Sequence, residues 1–303
     1  MKNKSLSPNQ QVTLFFLIAA AIAWSTIPIF NIVATRAGLP DGATLIDITE
    51  SWQFDSLQTE PIIPPPILYL LTRLQDFAFT LAAIILILIT AGPAGLQQLT
   101  THLNPKTISL RWLLFALLFP LGLYSFAATL AILADPTILT QHTITPATLL
   151  ATLISLNAGL LTYLFFRAGL GEEPGLRGFA LPLLQNQYGP FKASAILGLA
   201  WAAWHLPVLI SQNIINIIFF FILAITFSYL FTYTHNHANH NLWIVALLHA
   251  GINAGDRMLQ TLLPQLSNYD WQLPAYILML LATIILNIHW YRQLKVTQQG
   301  HSP

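Results

Sequence analysis

Long runs without charge constrain this chain more than any other feature. Only 8% of its 303 residues are charged, and they gather at the edges of apolar stretches about twenty residues long. From Val12 to Ala34 there is no charged residue at all, and the mean hydropathy of the chain is +0.64. A helix needs roughly twenty apolar residues to cross a hydrocarbon core of about 30 Å. Eight stretches qualify: about 12–34, 67–89, 112–134, 148–167, 191–210, 214–233, 241–263 and 273–291. The expectation is an all-α, polytopic membrane protein with about eight transmembrane helices.

Charge and cysteine content narrow the function. A net charge of +1 offers no polybasic face, so no nucleic-acid partner is expected. There is no cysteine, which excludes disulfides, thiolate metal sites and a cysteine nucleophile. The first apolar run follows Lys2 and Lys4 without a small-residue cleavage site, so it reads as a spanning helix and not a signal peptide. An inward N-terminus puts Lys2, Lys4, Lys106, Arg111, Lys192, Arg292 and Lys295 on one side, the cytoplasmic one by the positive-inside rule. Both termini are then cytoplasmic. The organisation read from this is a tail 1–11, membrane helices 12–147 with an acidic external loop 36–66, a second helical part 148–291, and a tail 292–303.

Gly171–Gly178, reading Gly-Glu-Glu-Pro-Gly-Leu-Arg-Gly, sets two carboxylates and a guanidinium into this apolar context. Ionisable groups inside a membrane are costly and mark functional positions. Pro174 is best tolerated in a first helical turn, so the expected helix starts near Glu173 with both glutamates at its positive end. Glu173 and Arg177 lie four apart and should pair, leaving Glu172 free. Arg73 and Asp76 form a similar local pair, three apart.

Partners for Glu172 stand further along the chain. Trp201-Ala-Ala-Trp-His205-Leu-Pro207 puts an imidazole in one apolar run. His249-Ala-Gly-Ile-Asn253 puts an imidazole and an amide on one face of another, with Asp256 seven residues past His249 on that face. At 1.5 Å per residue, His249 lies about 12 Å, His205 about 20 Å and Glu172 about 22 Å from the cytoplasmic ends of their helices. Two histidines, a carboxylate and an amide at similar depth are what hydrolysis requires: a base or metal to activate water, and donors for an oxyanion. The segment with His235, His237 and His240 is expected to be a solvated cytoplasmic loop.

Glu172-Glu173-x-x-x-Arg177, then Trp201-x-x-x-His205, then His249-x-x-x-Asn253, on successive apolar helices, resembles the CPBP family over about 148–256. These are the CAAX-processing and bacteriocin-associated intramembrane proteases, also called Abi. The resemblance implies an eight-helix fold with an intramembrane polar cavity open to the cytoplasm, and an endopeptidase acting on peptide or protein substrates, in eukaryotes prenylated ones. Within that reading Glu172 is the general base, His205 binds or polarises the water, His249 and Asn253 either stabilise the oxyanion or complete the site, and Glu173 with Arg177 stands behind them. Trp201 replaces the phenylalanine frequent in the family, and Pro174 intrudes into the first motif. Two mechanisms stay open. One needs no metal; the other places Zn2+ on Glu172, His205 and His249. A prokaryotic cytoplasmic membrane is the expected location. Two other classes compete with the peptidase. A proton-coupled transporter would use similar residues but should show related halves, and none is evident. An inactive, partner-binding family member would have no need of the full residue set. Signatures of other proteases, His-Glu-x-x-His, Gly-x-Gly-Asp and Gly-x-Ser-x-Gly, are missing.

Overall fold

The computed structural model describes residues 6–36, 66–140, 145–263, 266 and 272–299. The expected acidic loop 36–66 and both tail ends lie almost wholly outside these residues, as does the side chain of Asp256. All regular structure among the described residues is helical: α1 Pro8–Arg36, α2 Pro66–Asp76, α3 Ala78–Thr90, α4 Gly92–Thr101, α5 Leu110–Ala134, α6 Pro146–Phe166, α7 Ala168–Gly175, α8 Leu181–Trp204, α9 Ile214–His237, α10 Leu242–Leu262 and α11 Gln272–Gln299, besides single turns.

Among the described residues, five helical stretches are long and apolar enough to cross a membrane, six if α2 and α3, bent by 65° at Phe77, count as one. The expected eight is not confirmed by this count. Two of the expected spans, 148–167 and 191–210, fall within one near-continuous 59-residue stretch, Pro146–Trp204. Of the expected span at 241–263, the described part Leu242–Gly255 is apolar and helical.

That 59-residue stretch is broken where the chemistry sits. Arg167 leaves helical geometry at φ −137°, ψ −130°, ending α6. The chain re-enters helix as α7, passes through a π-helical turn at Leu176–Ala180, and continues as α8. Gly189 bends α8 with φ 72°, a left-handed conformation suited to glycine, immediately before Pro190.

The glutamates do not open a helix as expected. Pro174 lies inside α7 and both carboxylates precede it. A proline there leaves the carbonyl four residues back without its donor. That carbonyl belongs to Leu170, and the Thr80 hydroxyl of α3 donates to it at 2.9 Å. A side chain from a neighbouring helix thus satisfies the backbone, as a helix in lipid requires.

Close backbone approach explains the glycines around the glutamates. A Cβ at Gly171 would run into the carbonyl of Asp76, and one at Gly175 into that of Phe79. Spaced four apart, these two glycines seat α7 directly on the α2–α3 bend, the small-residue contact that lets membrane helices pack tightly. On the opposite side, Gly251 and Gly255 of α10 face Pro120 and Tyr124 of α5. Tyr124, buried there, donates its hydroxyl to the Ile252 carbonyl at 2.8 Å and braces α10 beside Asn253. The start of α10 is pinned by Asn241, whose amide donates to the Asn104 carbonyl and the Thr107 hydroxyl, and by Trp243, which donates to Leu103.

Candidate active site

Glu172 and Glu173 are adjacent on α7 and therefore point in different directions. Glu173 is fully buried. Its Oε1 accepts from Arg177 Nη1 at 3.0 Å, the expected pair, and also from His249 Nδ1 at 2.7 Å. The two bonds tie α7 to α10. Arg177 is fully buried too, with its guanidinium 5.0 Å from the Phe231 ring centre and 5.8 Å from that of Trp201. Those ring faces stand where further acceptors would otherwise be needed.

Glu172 turns to the other side and lines two adjoining cavities, of about 180 Å³ and 360 Å³. Its Oε2 accepts from the Trp201 indole N–H at 2.7 Å. His205 and Asn253 line both cavities with it, and His249 lines the larger. Residues from α7, the end of α8 and α10 therefore converge, as the sequence motifs require. Asn253 has no hydrogen-bond partner among the described residues, so its amide is available to a ligand.

The histidine tautomers follow from their partners. His205 Nδ1 lies 2.9 Å from the Trp201 carbonyl, which can only accept, so Nδ1 carries the proton. On a neutral ring Nε2 is then an acceptor, and it is the nitrogen left for the cavity. His249 Nδ1 donates to the Glu173 carboxylate, leaving its own Nε2 for the cavity. Aromatic rings hold both imidazoles: Trp204 at 4.8 Å and Phe220 at 4.9 Å from His205, Phe231 at 4.8 Å and Trp201 at 5.5 Å from His249. Trp24 of α1 donates to the Trp204 carbonyl at 3.0 Å and steadies the end of α8.

His249 pairs with Glu173. Among the described residues, no three His, Cys, Asp or Glu side chains form a group placed to hold a metal ion. The Nδ1 atoms of both histidines face protein acceptors and one oxygen of Glu172 accepts from Trp201.

The histidine-rich segment is not a solvated loop either. Helix α9 runs on through His237, and His235 is 3% exposed. Its ring packs 4.9 Å from His240 and 6.5 Å from His102. Only His240 faces solvent, in the left-handed region at φ 55°.

Residues that the motifs did not single out complete the cavity walls. Arg167 and Tyr163, at the break after α6, line both cavities, and Asp76 lines the smaller. Asp76 Oδ2 meets Arg73 Nη2 at 2.9 Å, the expected local pair, and its Oδ1 lies 3.8 Å from Arg167 Nε. The available signal was the rarity of charge: Arg167 is an arginine at the end of an apolar run, five residues before Glu172.

Comparison with known proteins places this arrangement. The family model of Rce1-like type II CAAX prenyl endopeptidases matches residues 142–255, a segment that takes in α6 to α10 and every residue of the three motifs. Over 51 residues, 17% of its length, the chain is 41% identical to the CAAX prenyl protease 2 of Methanococcus maripaludis. The aligned part spans only 19% of that relative's length. Together with the apolar helices, this likeness supports an integral membrane protein.

Proposed function

We propose that the chain is an intramembrane endopeptidase that hydrolyses a peptide bond with a water held between Glu172 and His205. One observation carries this reading: Glu172, His205, His249 and Asn253 line a single cavity of about 360 Å³ inside an otherwise apolar bundle. Ligand pockets of this size, mostly apolar with a few convergent polar groups, are the usual form of an active site.

In the proposed step, His205 Nε2 accepts a hydrogen bond from the water and Glu172 takes its proton. The water oxygen attacks the carbonyl carbon. The oxyanion that forms meets the Asn253 amide and, when His249 carries a second proton, its Nε2–H. Glu173 supports that imidazolium through Nδ1, and Arg177 holds Glu173. Glu172 then gives its proton to the departing nitrogen as the C–N bond breaks. No step in this scheme runs through a metal. The substrate class suggested by the likeness is a protein or peptide ending in a prenylated cysteine motif, with the scissile bond near its C-terminus. Both termini are placed on the cytoplasmic side.

The experiment is cleavage of a fluorogenic peptide carrying an S-farnesyl cysteine fourth from its C-terminus, by protein reconstituted in liposomes, with and without a chelator. Turnover should survive chelation. Glu172→Gln should lower it by roughly 100-fold or more, in the range of general-base losses, without loss of folded protein. A fully active Glu172→Gln protein ends the glutamate-base mechanism.

A further inference from the structure

The cavity contains a cation that the hydrolytic step leaves unused. Arg167 lines both chambers beside Glu172, His205 and Asn253, at the break between α6 and α7. Its side chain is 16% exposed. The facing acid is Asp76, whose two oxygens are divided between two guanidiniums: Oδ2 at 2.9 Å from Arg73, Oδ1 at 3.8 Å from Arg167. The longer of these is at the outer limit of an ion pair. Arg167 Nη1 lies 3.3 Å from the Tyr163 hydroxyl, also long, and the guanidinium sits 4.9 Å from the Tyr163 ring centre.

Arg167 thus holds only a share of one carboxylate among the described residues, and its guanidinium can take a further anion. The guanidinium fork matches a carboxylate in particular, with two parallel N–H donors. The smaller chamber, lined by Arg167, Asp76, Trp24 and Pro207, has about 180 Å³. That is below the roughly 300–1,000 Å³ of ordinary ligand pockets and of a size for a small group such as a chain end.

We propose that Arg167 binds the C-terminal carboxylate of the substrate, so that the scissile bond is set at a short, fixed distance from a free chain end. This rests on the hydrolytic reading above and adds a specificity residue to it.

The test compares two farnesylated peptides of one sequence, ending in a free acid or in an amide. Wild-type protein should cleave the acid with a kcat/KM roughly 10- to 100-fold higher, the range of one charge-assisted hydrogen bond. Arg167→Gln should bring the two substrates close to parity by slowing the acid, and Arg167→Lys should keep part of the preference. Equal cleavage of both by the wild type, or an unchanged preference in Arg167→Gln, overturns the proposal. A second arm needs no turnover: calorimetric binding of N-acetyl-Val-Leu-Leu, as acid and as amide, to the wild type and Arg167→Lys. If neither peptide is cleaved, the hydrolytic reading fails. Binding then decides Arg167 alone: acid-selective binding weakened in Arg167→Lys supports it, and equal binding of acid and amide overturns it.

Discussion

Glu173→Gln separates the two glutamates more sharply than any other change. Glutamine keeps an oxygen in place of Oε1 and removes only the charge. Arg177, with no exposure, then remains as a buried guanidinium that has lost its paired carboxylate among the described residues. Removing one member of a buried pair costs about 3–5 kcal/mol, because the remaining charge is uncompensated. For a chain of this length that lowers the unfolding temperature by on the order of 10 °C. His249 loses its anionic partner at the same time, so the imidazolium form that would donate to the oxyanion is weakened. Two effects are therefore expected, one on stability and one on turnover, and a second variant distinguishes them. In Glu173→Gln/Arg177→Met the buried charge is removed with its partner, so most of the lost stability should return. Activity should not, because His249 still lacks a carboxylate. The measurements are thermal unfolding in detergent and peptide cleavage in liposomes, on the wild type and both variants. A Glu173→Gln protein as stable as the wild type would refute the reasoning about the pair. Recovery of full activity in the double variant would refute the role given to Glu173 at His249.

Gly175→Ala should destabilise by about 1–3 kcal/mol or more, since its Cβ meets the Phe79 carbonyl and no rotamer can relieve a backbone clash; denaturant or thermal unfolding measures it, and an unaffected protein would mean that α7 is not seated on α3. His235→Ala should cost about 0.5–3 kcal/mol by emptying a buried site. His240→Gly, at an exposed left-handed position, should leave stability unchanged or slightly raised, and the same unfolding assay compares the two. A reporter fused after Pro303 should register as cytoplasmic, and a periplasmic signal would overturn the assigned orientation.

What the sequence made legible was local. The pairs Arg73–Asp76 and Glu173–Arg177 follow from helical spacing of three and four, and both form. The three motifs share one cavity, as their order on apolar helices implies. The count of spans is less legible, because hydropathy responds to composition and not to backbone breaks: 148–167 and 191–210 lie in one apolar stretch, Pro146–Trp204, broken at Arg167. Pro174 was read as a helix start because, within its own segment, a mid-helix proline leaves Leu170 unsatisfied. The hydroxyl that satisfies it comes from Thr80, ninety residues earlier in the chain. His249 choosing Glu173 is likewise a contact over 76 residues. His235 is buried because His102 and His240 close over it.

Trp201 shows how a spacing can be right for a reason that spacing does not reveal. Its place in the motif suggests a ring to pack against. In the fold it serves through both of its polar groups: the indole N–H donates to Glu172, and the main-chain carbonyl four residues before His205 accepts from that imidazole. The four-residue interval is what lets a helix carbonyl reach the Nδ1 of the side chain one turn on. One residue therefore orients both the proposed base and the proposed water-binding histidine. A phenylalanine at 201 would keep the carbonyl, and with it the His205 tautomer, while leaving Glu172 without its indole donor. The two halves of the water site are thus held by separable groups on a single side of α8. The backbone half depends on the helix alone, and the indole half on which aromatic residue occupies the position.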